Sequence, residues 1–196
     1  MDTNLTALTY TDLNFQELTV NNWFQFEKLM GDKGGCGGCW CMAFRLTTNE
    51  FNEYKYEGNR LKMHSLVNEG KSVGLLAFIE KEPIGWIALA PREDYLKIEK
   101  SRSLKRIDDK PVWSITCFFI GKEFRRVGLS KLLIKGAIDF ARSKGIKTLE
   151  AYPSLPNDNK VPPAFLWVGI LSAFLSNGFE VVKQNGKSRA IVRLDI

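Results

Sequence analysis

The chain has one histidine among its 196 residues, no apolar run long enough to cross a bilayer, and no tract of consecutive lysines and arginines. Each shortage narrows the function. His64 lies in a segment with helical spacing and reads as a surface or packing residue, so proton transfer falls to other groups. The longest apolar stretches, residues 112–120 and 164–175, are shorter or more interrupted than the ~20 residues a spanning helix needs. The N-terminus lacks the basic start and apolar core of a secretory signal, which leaves the cytoplasm as the expected location and no membrane partner. Basic residues are scattered, with no long run. Nucleic acid is therefore not an expected partner, and the formal net charge of +6 suits a phosphorylated small ligand better. A P-loop run is missing, and so is the three-glycine dinucleotide fingerprint near a first strand. No repeat at a period of about 20–50 residues occurs.

What is present is an ordinary globular composition, 44% apolar and 26% charged, sufficient for a single α/β domain over residues 1–196. Residues 1–70 read as an N-terminal strand and helices, and residues 71–196 as the sheet. Weak alternation over 5–13 suggests an edge strand. Thr19 can cap a helix running to Met30, the glycine-rich stretch 31–45 is a structured loop, and a second helix is expected over about 49–68. Residues 73–79 and 84–90, parted by Lys81-Glu82-Pro83, form a hairpin; residues 92–110 are a charged connection. The β-branched and aromatic run 112–120 is the central strand. Leu129, Leu132, Leu133, Ala137, Phe140 and Ala141 then share one helical face that closes at Lys144-Gly145, before a strand over 147–152. Strand, helix, strand in this order implies a parallel, right-handed crossover. A last helix over 167–177 and a hairpin of 179–183 with 190–194 complete a mixed α/β sheet. Trp86, Trp113 and Trp167 are expected in the core.

Between the central strand and its helix lies Phe124-Arg125-Arg126-Val127-Gly128-Leu129-Ser130. Unpaired N–H groups at the helix start and the positive end of its dipole make an anion site, which Gly128 lets a phosphate approach closely. The run Arg125-x-x-Gly128-x-Ser130 resembles motif A of the GNAT acetyltransferase superfamily, Gln/Arg-x-x-Gly-x-Gly/Ala, with serine in the last small position. Ile84-Gly85-Trp86, Glu150-Ala151-Tyr152-Pro153 and Asn177-Gly178-Phe179 support the resemblance in order and spacing from about Val73 onward.

The resemblance implies a mainly antiparallel sheet with one splayed parallel pair at its centre, acetyl-CoA as co-substrate, and N-acetyl transfer to a small-molecule or peptide amine by direct attack. It implies that the backbone of Phe118, Phe119 and Ile120 holds the pantetheine arm. The N–H groups of Arg126, Val127, Gly128, Leu129 and Ser130, with Arg125 nearby, would hold the pyrophosphate. Lys131 or Lys135 reaches the 3′-phosphate or is simply solvated. The family's usual acid, a tyrosine of the last helix, is replaced by Phe174, and a common asparagine by Val168. Glu150, beside the expected splay, is the candidate base, and Tyr152 the substitute acid. An alternative is a non-catalytic acyl-CoA-binding module on the same fold. A homodimer stays open.

Cys36-x-x-Cys39-x-Cys41 has metal-like spacing, which Cys117 or His64 could complete, yet a second cysteine pair is missing and no metal is expected. Packing, redox-sensitive thiols and contact with the acceptor all remain as readings of the cluster. Cys39, Trp40, Cys41 and Met42 border the acceptor pocket if the family geometry holds. This segment and Glu150 to Pro153 together resemble a bacterial GNAT subgroup.

Overall fold

The computed structural model describes residues 8–155, 167–186 and 188–196. Its frame is a seven-stranded sheet in the order β1-β2-β3-β4-β5-β7-β6. The strands are β1 (Asn14–Glu17), β2 (Gly74–Ile79), β3 (Glu82–Pro91), β4 (Trp113–Ile120), β5 (Thr148–Ala151), β6 (Glu180–Asn185) and β7 (Arg189–Asp195). β4 and β5 pair in parallel, and every other neighbouring pair is antiparallel. The helices are α1 (Trp23–Met30), α2 (Thr48–Glu53), α3 (Glu57–Asn68), α4 (Leu96–Glu99), α5 (Leu129–Ser143) and α6 (Leu171–Leu175). Among the described residues no helix is long and apolar enough to cross a membrane.

The two faces of the sheet carry separate cores. On one, α5 buries Leu129, Leu133, Ile134, Ala137, Ile138 and Ala141 against Ile87, Leu89 and Ile115. Burying each of its larger aliphatic side chains contributes about 2 kcal/mol. On the other face, α1 and α3 cover Leu76, Phe78, Trp86 and Ala88 with Phe26, Met30 and Met63.

The structure departs from the sequence pattern at five places. Thr9 opens a short 3-10 turn at Tyr10–Asp12, so the first strand is 14–17, and residues 5–7 of the expected strand lie outside the described residues. The helix expected over 49–68 is two, because Tyr56 takes φ +67° between them. The charged connection 92–110 folds inward, with a 3-10 turn at Arg92–Asp94 and the short α4. The last helix is only five residues long, since Gly169 at φ +80° and Ile170 in extended backbone precede it. Trp86 is fully buried as expected, whereas Trp113 and Trp167 are only partly so.

Candidate active site

β4 is paired on both sides only over its first half. Trp113, Ser114 and Ile115 match Leu149, Glu150 and Ala151, and the parallel ladder then ends. β4 continues to Ile120 against β3 alone. Past Ala151 the gap is bridged by residues 167–171. The Phe118 N–H donates to the Trp167 carbonyl (2.6 Å), the Ser154 N–H to Gly169 (3.0 Å), and the Leu171 N–H to Ser154 (3.2 Å). Successive residues of a strand face opposite neighbours, so Phe118 and Ile120 face the gap and Phe119 faces β3. The Ile120 carbonyl accepts from Arg125 Nε at 3.1 Å.

Beyond Ile120 the chain turns through Lys122–Phe124 and enters α5 at Gly128. Gly128 caps the helix in the left-handed region (φ +83°), and a side chain added there would meet nothing within 4 Å. The space in front of the helix start is therefore open. Arg126 is also left-handed (φ +68°), so two left-handed residues flank Val127 just ahead of the positive end of a fifteen-residue helix. Arg125 and Arg126 are exposed beside it, Val127 packs on the core, Leu129 is buried and Ser130 is half-buried. Lys131 is exposed. Lys135 lies with its Nζ 4.0 Å from the centre of the Tyr10 ring. The residues present fit a phosphate-bearing ligand.

Glu150 and Tyr152 are brought together, sealed from solvent at 0% and 1% exposure. Glu150 Oε1 accepts from Arg92 Nη1 and from the Tyr152 hydroxyl (2.6 Å), and Oε2 accepts from Arg193 Nε (2.7 Å). Arg92 also donates to Tyr152 Oη (2.9 Å), Glu99 (2.6 Å) and the Leu104 carbonyl (2.6 Å), and Ser114 shares a hydrogen bond with Tyr152 (2.8 Å). Burial, and then the Glu150 charge, push the Tyr152 hydroxyl well above the usual phenol range. In the sequence pattern Arg92 belongs to the charged connection and Arg193 to the last hairpin, and no motif marks either. Phe174, where the family has its tyrosine, is fully buried and meets Phe118 and Phe179 edge-on, at 5.9 and 5.2 Å between ring centres. Val168 is buried in the cluster that holds Tyr152.

On the α1 and α3 face, beside the free half of β4, lies a cavity of about 300 Å³. Its wall includes Cys36, Cys39, Cys41 and Cys117 together with Phe118 and Trp167. No histidine, cysteine, aspartate or glutamate group of three or more among the described residues could hold a metal ion. A more open cavity of about 380 Å³, against α3 at Arg45 and Lys62, touches no residue of β4 or of the α5 entry.

Residues 40–162, more than half of the chain, match the acetyltransferase (GNAT) family. The chain belongs to that family. Its members transfer acetyl groups from acetyl-CoA as co-substrate, and the parallel pair, the splay and the α5 entry are where this GNAT chain carries the shared fold. No curated protein matches it. Among solved structures, it is similar to the PaiA N-acetyltransferase of Thermoplasma acidophilum in complex with coenzyme A, with a TM-score of 0.51 at 17% identity, over 94% of this chain and 99% of that one. A GNAT acetyltransferase of Listeria monocytogenes has a TM-score of 0.56 at 11% identity, over 94% and 95%. Arabidopsis thaliana NAA60 in complex with acetyl-CoA has 0.50 at 14%, over 94% and 99%. At these identities the likeness is one of fold.

Proposed function

We propose that this protein transfers the acetyl group of acetyl-CoA to the nitrogen of a small-molecule or peptide amine. The observation that carries the reading is the left-handed, unobstructed Gly128 at the start of α5, directly after a central strand whose parallel partner ends midway. The N–H groups of 126–130 hold the pyrophosphate, and Arg125 and Arg126 add charge at its edge. Acetyl-CoA supplies an acetyl thioester, whose carbonyl carbon the acceptor nitrogen attacks while the CoA sulfur leaves. The Ile120 N–H and the Phe118 carbonyl orient the arm, and the thiol-lined cavity receives the acceptor.

Glu150 and Tyr152, the expected base and acid, serve in this reading as a positioning pair. Both carboxylate oxygens are engaged by guanidinium groups and the phenol, and this cluster fixes where β4 and β5 part. Among the described residues the cavity wall carries no carboxylate or imidazole, so the acceptor's proton passes to water. The buried, hydroxyl-free Phe174 favours one second reading, an acyl-CoA-binding module without turnover.

Saturating CoA should raise the melting temperature by several degrees, as about 2.7 kcal/mol at a hundredfold excess over Kd implies. Gly128→Val, strained by roughly 1–2 kcal/mol in the left-handed region, should stay folded yet bind CoA at least about tenfold more weakly. Unchanged CoA affinity in the folded variant would remove the cradle from the reading. CoA binding without amine-dependent release of CoA thiol across an amine panel would favour the binding module.

A further inference from the structure

The acyl-transfer reading leaves the four thiols without chemistry of their own, and the structure arranges them unevenly. Cys36 is exposed, Cys39 half-buried, and Cys41 and Cys117 buried. Cys41 belongs to the left-handed turn formed by Trp40 and Cys41 (φ +42° and +54°), and Cys117 to β4. Although 76 residues apart in sequence, their sulfurs lie 3.1 Å from each other. Both line the 300 Å³ cavity, and that cavity reaches the surface at the exposed Cys36 and Lys97. Around the pair the wall is tightly built. Met30, Trp40 and Trp86 belong to the same buried cluster as the pair.

We propose that Cys41 and Cys117 are a disulfide-forming pair, oxidised by a small hydroperoxide that enters through this cavity. The sulfurs need to approach by only about 1 Å to reach disulfide bonding distance, and each sits on an element already held in place. The hydrogen bond with Cys117, and burial, outweigh the hydrogen bond with Cys39 and push the Cys41 thiol well above its usual range, and the oxidation is written from Cys117. The Cys117 sulfur attacks one peroxide oxygen and gives up its proton. The O–O bond breaks, the sulfur becomes a sulfenic acid, and the other oxygen leaves as alkoxide or hydroxide and takes a proton. The Cys41 sulfur then displaces the sulfenic oxygen, which leaves as water with the Cys41 proton. Two thiols are oxidised, and one hydroperoxide is reduced to an alcohol, or to water when the oxidant is hydrogen peroxide. The new bond ties the 40–42 turn to β4, next to the Phe118 backbone. A disulfide reducing agent restores the pair.

This inference stands independently of the acetyl-transfer reading, because its readout is chemical. Reduced full-length protein is treated with hydrogen peroxide in slight excess, and its remaining thiols are blocked. Peptides are then mapped without reduction. Titratable thiols should fall from four to two, and one cross-linked peptide should join Cys41 to Cys117. Dithiothreitol should return all four. Cys36→Ser should leave the cross-link unchanged, which separates an internal route from oxidation through the surface thiol. Cross-links joining Cys36 or Cys39 to another cysteine in place of the Cys41–Cys117 link would overturn the proposal. So would Cys41 and Cys117 remaining reduced, or carrying sulfinic acid without a link. Each overturning outcome is read on the wild-type chain, so a variant that fails to fold does not protect the idea.

Discussion

At the scale of single residues, the main consequence of the fold falls on Glu150. Register places it opposite Ser114 on one side and Arg193 on the other, and Arg92 arrives from the end of β3 to complete the cluster. Removing one partner of a buried ion pair leaves charge without compensation and typically costs about 3–5 kcal/mol. Glu150→Gln should therefore lower the free energy of unfolding by about 3 kcal/mol or more, read as a fall in urea midpoint. Below its melting temperature, the variant should keep acetyl-CoA turnover within about threefold per folded molecule. A catalytic base would give the opposite split, with stability nearly intact and turnover reduced by about a hundredfold or more. Tyr152→Phe should behave as a milder version, since it removes one donor to Glu150 and one partner of Ser114 while keeping the ring in its cluster.

At the scale of elements, the half-paired β4 sets the demand on the rest of the site. Residues 167–171 are fastened across the gap by the bonds of Trp167, Gly169 and Leu171 to Phe118 and Ser154. A pantetheine arm held by the Phe118 carbonyl and the Ile120 N–H enters the same gap and loosens that fastening. Binding of CoA should therefore speed amide exchange at Ser154 and Leu171 while slowing it at Ile120. Slowing at all three would mean that the arm lies elsewhere. The β2–β3 hairpin and the β4–α5–β5 crossover were legible in the sequence because length, turn residues and a single helical face agree there. The first strand was not. Asn14-Phe15-Gln16-Glu17 has no apolar alternation of its own, and is fixed by pairing with β2 and by Phe15 lying against Gly136 of α5. The break at Tyr56 follows a backbone angle that no composition rule marks. The candidate cradle at 125–130 stands out in the sequence because a local motif marks it. The network around Glu150 was not legible because its arginines come from the turn after β3 and from β7, brought together only by the register of the sheet.

At the scale of the whole molecule, the ion pairs and buried hydroxyls give stability a pH profile whose sign follows from where each group titrates. Burial pushes the Glu99 carboxyl up, but hydrogen bonds from Arg106 and Arg92 outweigh it and leave Glu99 below the usual carboxylate range. Arg193 holds Asp108 low, and Lys110 with Thr148 holds Asp195 low. A carboxyl depressed in the folded chain contributes stability above its unfolded value, about 3.9–4.3, and loses it as pH falls through the folded value. The tyrosines act in the other direction. Tyr152 is raised by burial and by Glu150, and Tyr10 by burial and by its hydrogen bond to Asp139. A phenol raised on folding contributes stability fully below its unfolded value of about 10, and loses it as pH climbs toward the folded one. The urea midpoint should therefore be flat between about pH 5 and 8, fall steadily from about pH 4.5 to 2.5, and fall again above about pH 8.5, where the unfolded Cys41 thiol and then the unfolded phenols ionise while their folded counterparts do not. Raising the salt concentration should shrink the acid limb, because Asp108 and Asp195 are exposed and screened, while the alkaline limb carried by the sealed Tyr152 should hardly change. A midpoint that rose between pH 5 and 3, or an alkaline limb abolished by salt, would show that these pairs do not set the profile.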